Sequence, residues 1–342
     1  MGFFFGLIIM TMMVSVFQVN DFDFNNMEAG VRTLVSGVNP YAPETRVNEF
    51  FNPPFSVIFL WPILFITPKI AVAVGGALLF AVVFYQRSWV GLAWFLTNSA
   101  LYIFAKGGID MYVIGAGLLL LFAGDKVSNR WVQFLLRVLA YGFLMVKPQG
   151  GLFVVILYIL YRRDWWGLFA SMLVFGLPFQ VYYLDWLHLI VAAPPASQTI
   201  GAHTIMGKFG PWLAIIVAIW IIFARKWNFW ELGGALAGIL SPYGMPGVPV
   251  FLTLTSVRQI VAIPIVVLFS AGLAKLTWVT PPPGVDFYEY LTSFLVIYHL
   301  GILALVLILS SYPGVTVAPN EGAQIDARAL LAAAIARLRG TT

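Results

Sequence analysis

Asn20 to Pro54, NDFDFNNMEAGVRTLVSGVNPYAPETRVNEFFNPP, is a polar island between long apolar segments. It holds five of the fourteen acidic residues of the chain, two turn signals and a proline pair, so any chemistry is expected there. Asp21 and Asp23 follow directly on the apolar run Gly2 to Val19, which places both carboxylates at a membrane boundary. With the following residues helical, Met27, Val31, Leu34 and Val35 fall on one face, and a juxtamembrane helix lying on a bundle is expected. Gly37-Val38-Asn39-Pro40-Tyr41 ends it, through the glycine and the restriction that proline puts on Asn39. Asn52-Pro53-Pro54 then opens another helix, where proline is tolerated because first-turn N–H groups lack a helical partner. An extracytoplasmic loop of this kind would roof a site for a lipid substrate.

Composition sets the solvent. Apolar residues make up 61% of the 342 and charged residues 10%, against about a quarter in soluble globules. The expected fold is therefore all-α, a polytopic transmembrane helix bundle, because helices satisfy their own backbone in lipid. Thirteen apolar segments run from Gly2 to Val19 through to Leu291 to Leu309, and about 20 residues are needed per crossing. Several, such as Phe55 to Ile66, are short, so ten to thirteen crossings are expected. The first segment lacks a basic front and a small-residue cleavage site and reads as a retained span. Without cysteine there are no disulfides, no thiol catalysis and no thiolate metal sites. The net charge of +5 suits anionic headgroups, and no basic patch is concentrated enough for nucleic acid.

Residues 1–312 read as the membrane module and 313–342 as a tail. The tail carries an apolar stripe over Ile325 to Leu338 edged by Arg328, Arg337 and Arg339, which suits either a surface-lying amphipathic helix or a cytoplasmic end. Positive residues fall at alternate segment ends: Arg87, Lys126 with Arg130, Arg162 with Arg163, Arg225 with Lys226, and Arg258. All can be cytoplasmic if Phe55 to Ile66 does not fully cross. Asn20 to Pro54, Lys106 to Asp110, Lys147 to Gly150, Leu184 to Gly210, Ser241 to Pro246 and Thr280 to Tyr290 then face outward together.

The order of several short marks resembles one family. Asp23-Phe24, Ala29, Gly37 and Pro40-Tyr41, then Asn52-Pro53-Pro54 and Trp61-Pro62, are similar to the opening of bacterial C-type glycosyltransferases. The polyprenyl-phosphate-mannose-dependent alpha-mannosyltransferases are the subgroup it resembles. The likeness continues at Gly108-Ile109-Asp110, at Lys147-Pro148-Gln149, at Arg162-Arg163-Asp164-Trp165 and at Ser241-Pro242. The chain departs from the pattern at Met27, where the family often has an aromatic residue, and at Tyr243, where it often has histidine.

The resemblance implies a helical-bundle enzyme that moves a sugar from a polyprenyl-phosphate donor to an extracytoplasmic lipid, glycan or protein acceptor. It implies Asp23 as the catalytic base, with Asp21 beside it. A carboxylate suits an inverting transfer, taking the acceptor's proton as its hydroxyl attacks the anomeric carbon. A cation would steady the leaving phosphate, with Lys147 the first candidate and Arg32 and Arg46 behind it. Tyr41, Gln149 and Tyr243 are the substrate-binding candidates. No cofactor and no divalent metal are expected, since His188, His203 and His299 lack ligand spacing. The location expected is the inner membrane.

Plainer roles stand beside these. Asp21 and Asp23 are also suited to capping the next helix, and Lys147 to an interfacial, snorkelling position. Asp110 reads as a cap for the helix after it. Arg137 falls inside an apolar segment, where an ionisable group calls for a partner, and Glu231 is one option. The competing function classes are a lipid or solute transporter and a catalytically silent subunit of a membrane complex.

Overall fold

The first apolar run forms α1 (Gly2–Val16), and the polar island opens as α2 (Phe22–Val35). A computed structural model of the chain describes residues 2–16, 22–47, 50–86, 91–92, 95, 103, 107–192, 210–224, 227–240 and 324–325. Phe24, Met27, Val31 and Leu34 are buried along one side of α2, a spacing that follows the helical period. Val35, expected on that face, is 59% exposed; Phe24, one turn before Met27, completes the stripe at the other end. The helix stops in a Schellman motif. Val38 N–H donates to Thr33 O at 3.1 Å and Gly37 N–H to Leu34 O at 3.0 Å, with Gly37 at φ +79°.

Residues 36–47 and 50–53 fold back on one another. Asn39 Oδ1 accepts from Tyr41 N–H at 3.0 Å, Thr45 Oγ1 donates to Asn39 O, and Tyr41 stacks on Phe50. Pro54 then opens a helical stretch as expected, with a 3-10 turn (Pro54–Ser56), α3 (Val57–Leu60) and a second 3-10 turn (Trp61–Phe65). Its twelve residues reach about 20 Å, less than the hydrocarbon thickness. It leads into α4 (Pro68–Gln86).

Next come α5 (Asp110–Lys126), α6 (Arg130–Val146), α7 (Pro148–Arg162) and α8 (Trp165–Ser171). A π stretch (Met172–Gly176) and a 3-10 stretch (Leu177–Tyr182) continue α8 into α9 (Tyr183–Ala192) as one bent rod. Pro178 lacks a backbone N–H and Phe179 leaves helical geometry at φ −108°, which accounts for the bend. Residues 184–192, expected as the start of a loop, are therefore helical. The last described helices are α10 (Pro211–Ala224) and α11 (Phe229–Leu240). Between them β1 (Trp227–Asn228) pairs antiparallel with β2 (Gln324–Ile325). Ile325, expected to begin the helix of the tail, is thus extended.

Close contacts fix the helix directions. Met10 of α1 lies over Gly76 of α4 and Phe80 over Gly6, so the two run antiparallel. Gly75 backs onto the Tyr112 amide and Lys126 Nζ stands 3.9 Å from the centre of the Tyr85 ring, so α4 and α5 run parallel. Helices α5, α6 and α7 alternate, with Leu144 against Gly117 and Gly151, and Val154 of α7 meets Gly233 of α11. The bundle consequently has a loop end, with α2, residues 36–47 and 50–53, Asp110 and Lys147, and a far end, with Tyr85, Lys126, Arg130 and Arg162. Phe59 joins the loop layer to the bundle, 4.6 Å from Phe143 and 4.8 Å from Phe175 between ring centres.

Among the described residues two helices are long and apolar enough to cross a membrane, Pro68–Tyr85 and Trp165–Val191. This is fewer than the ten to thirteen crossings expected; helices such as Pro148–Arg162 and Pro211–Phe223 are apolar but short. Trp166, Met172, Val181, Val191, Trp212 and Ile216 stand exposed, a spread of bare apolar surface that suits lipid rather than water. Most of the expected segment Trp89 to Phe104, everything expected from 241 to 323, and residues 193–209 lie outside the described residues, as do Arg87, Arg225, Lys226, Arg258, His203 and His299.

No atom lies within 4 Å of a side chain built at Gly37, so substitution there is felt only through the backbone. Gly37→Ala is expected to lower unfolding stability by about 1 kcal/mol and Gly37→Asn by less, since asparagine tolerates the left-handed region. Denaturation in detergent measures both.

Candidate functional site

The loop end gathers most of the expected site residues. Asp23 is the second residue of α2; Asp21 and Tyr243 lie outside the described residues. Arg32 is exposed and pairs with Glu28 one turn earlier at 2.6 Å, and Arg46 is exposed on the loop. Lys147 forms the corner between α6 and α7, with Gln149 half-buried in the first turn that follows. Lys147 Nζ lies 3.2 Å from Asp110 Oδ1, an ion-pair contact without hydrogen-bond alignment. Asp110 is therefore the counter-charge of Lys147 rather than the cap expected of it; Ile109 holds the cap position and makes no side-chain cap bond.

Tyr41 is part of the core. Its ring is 3% exposed and its hydroxyl donates to Asn52 O at 2.7 Å. Burial, with Tyr183 adding to it, pushes the phenol above its ordinary range, so it remains a protonated donor. Asn52, also buried, donates to Met27 Sδ at 2.9 Å and so binds the loop to α2. Two contacts that sequence spacing did not reveal clamp the loop to α9. Asn39 Nδ2 donates to Asp185 Oδ2 at 2.6 Å, and Trp186 Nε1 donates to Phe51 O at 3.0 Å. Ser56 Oγ, fully buried where the next helix opens, has no hydrogen-bond partner among the described residues.

A second polar cluster, at the far end, was missed except for Arg137. Arg137 Nη2 lies 3.4 Å from Asp125 and Nη1 3.9 Å from Asp164, so its carboxylate neighbours come from the end of α5 and the N-cap of α8, where Glu231 had been suggested. Glu231 is buried in the first turn of α11. Asp125 also receives Arg162 at 3.0 Å and the Tyr158 hydroxyl at 2.6 Å. Asp164 accepts from Tyr141 Oη at 2.8 Å and caps α8 through Gly167 N–H at 3.3 Å. A signal was present: Arg137 with Tyr141, and Tyr158 with Arg162, are i, i+4 pairs on consecutive helices, which puts each pair on one face. Two carboxylates and two guanidiniums leave this cluster neutral. Among the described residues no three His, Asp or Glu side chains converge closely enough to hold a metal ion.

Removing Arg137 takes the counter-charge from the enclosed Asp164 and leaves Asp125 with Arg162 alone. Arg137→Met is expected to cost about 3–5 kcal/mol. Arg162→Gln, at a half-exposed guanidinium, is expected to cost less than about 1 kcal/mol. Unfolding in detergent, read for each variant and for Arg137→Met with Asp125→Asn, separates the pair from its parts. Comparison with family models, with curated proteins and with solved structures finds no match to this chain.

Proposed function

We propose that the chain is a polytopic inner-membrane glycosyltransferase of C-type character, moving a sugar, mannose or a related hexose or pentose, from a polyprenyl-phosphate donor to a lipid, glycan or protein acceptor at its loop end. The observation that supports this most is the gathering of the start of α2, which carries Asp23, with Lys147, Asp110, Gln149 and the exposed Arg46 at one end of the bundle. The acceptor hydroxyl attacks the anomeric carbon while Asp23 takes its proton. The bond from that carbon to the phosphate oxygen breaks, and the lipid phosphate leaves with the electron pair. Lys147, oriented by Asp110, meets the charge gathering on that phosphate.

Two observations favour a second reading, a catalytically silent subunit. Tyr41 is enclosed and cannot stack on sugar, and Lys147 already has a counter-charge. Purified protein in membrane-like lipid, given radiolabelled polyprenyl-phosphate-mannose, decides between the two. Transferase action predicts label release that Asp23→Asn lowers by about 100-fold or more, with the variant still folded. Release by Asp23→Asn at the normal rate would remove Asp23 from the reaction, and absence of both release and donor binding would select the silent subunit.

A further inference from the structure

The far end of the bundle carries more positive charge than its ion network uses. Asp125 and Asp164 are taken up by Arg137 and Arg162. Lys126, Arg130 and Arg163 remain exposed, and among the described residues none of the three pairs with a carboxylate. The Arg162–Asp125 contact at 3.0 Å ties the two far-end corners together, so Lys126 and Arg163, each next in sequence to one member of that pair, share a rim with Arg130 at the start of α6. Three tryptophans stand on the same corners: Trp131 is 78% exposed, Trp165 57% and Trp166 76%. Bare indoles beside lysine and arginine have the chemistry of the lipid headgroup layer, apolar on one side and hydrogen-bonding on the other.

The backbone supplies an independent observation. Arg163 closes α7 at φ 55°, ψ 34°, in the left-handed region, the only described residue other than glycine with positive φ. Glycine is the residue such a helix end favours, and an arginine there is held at a conformational cost. A cation kept at a strained position on an exposed corner points to a use for the cation.

We propose that the rim formed by Lys126, Arg130 and Arg163 with Trp131, Trp165 and Trp166 is a docking surface for the phosphates of anionic phospholipids. It holds the far end of the bundle at one membrane face. Since α4 runs from the loop end to the far end and is long enough to cross, the loop end is thereby directed to the opposite face. The proposal rests on membrane placement alone and is independent of sugar transfer.

The test uses the full chain in neutral detergent, titrated with phosphatidylglycerol or phosphatidylcholine, with bound lipid counted by native mass spectrometry and stability followed by thermal melting. Phosphatidylglycerol is expected to be retained preferentially and to raise the melting temperature. Lys126→Gln, Arg130→Gln and Arg163→Gln should each reduce that preference about fivefold, and the triple variant should abolish it. Arg163→Gly should lose preference while melting higher without lipid, which separates headgroup binding from damage to the fold. Equal retention of the two lipids would overturn the proposal. So would an equal loss from Lys69→Gln at the loop end, or protection by inorganic phosphate matching that of the lipid, which would indicate a free-anion site instead.

Discussion

The arrangement of the bundle depends on one arginine. Arg137 enters an apolar layer well inside α6, and its guanidinium draws in a carboxylate from each neighbouring corner, Asp125 at the end of α5 and Asp164 at the start of α8. Enclosing these charges carries a desolvation penalty of several kcal/mol per ion, which the contacts offset only if nearly every polar atom is met. The Tyr141 and Tyr158 hydroxyls supply two of the missing hydrogen bonds. What remains is Arg137 Nε, buried with no hydrogen-bond partner among the described residues. The network gives register more than stability: it requires the ends of α5, α7 and α8 to meet at one level.

That register has a consequence at the other end. With the far-end corners fixed and helices α5, α6 and α7 rigid between them, Asp110 and Lys147 arrive together about one helix length away. The layer above them is built differently. It is short, proline-punctuated and held by side chain to backbone hydrogen bonds: Tyr41 to Asn52, Trp186 to Phe51, and Asn39 to Asp185 between side chains. The bundle thus carries a cation paired with a carboxylate beneath a loop layer fixed by a few long-range hydrogen bonds. Residues that seemed available for binding, Tyr41 above all, are instead what holds the layer down.

Much of the local structure could be read from residues in sequence. Gly37 and the Asn52-Pro53-Pro54 run marked the end of one helix and the start of another, because φ above zero and a missing N–H act on the backbone at the position itself. The apolar face of α2 followed from its period, apart from a shift from Val35 to Phe24. The lone charge of Arg137 in an apolar run correctly demanded a partner. Which partner was decided by how α5 and α8 pack on α6, and neither Asp125 nor Asp164 stands at a helical spacing from Arg137 that would single it out.

The sequence by itself determined a helical, membrane-compatible chain with a polar first loop, since composition and period act through solvent and backbone, which every residue meets separately. It also placed positive residues at particular segment ends. Only the tertiary structure decided that Asp110 faces Lys147, that Asp125 and Asp164 share Arg137, that Tyr41 is enclosed and that Asp185 and Trp186 clamp the first loop. These are pairings between residues up to 146 positions apart, and they are set by the distance and direction between helices. No local rule of spacing carries that information.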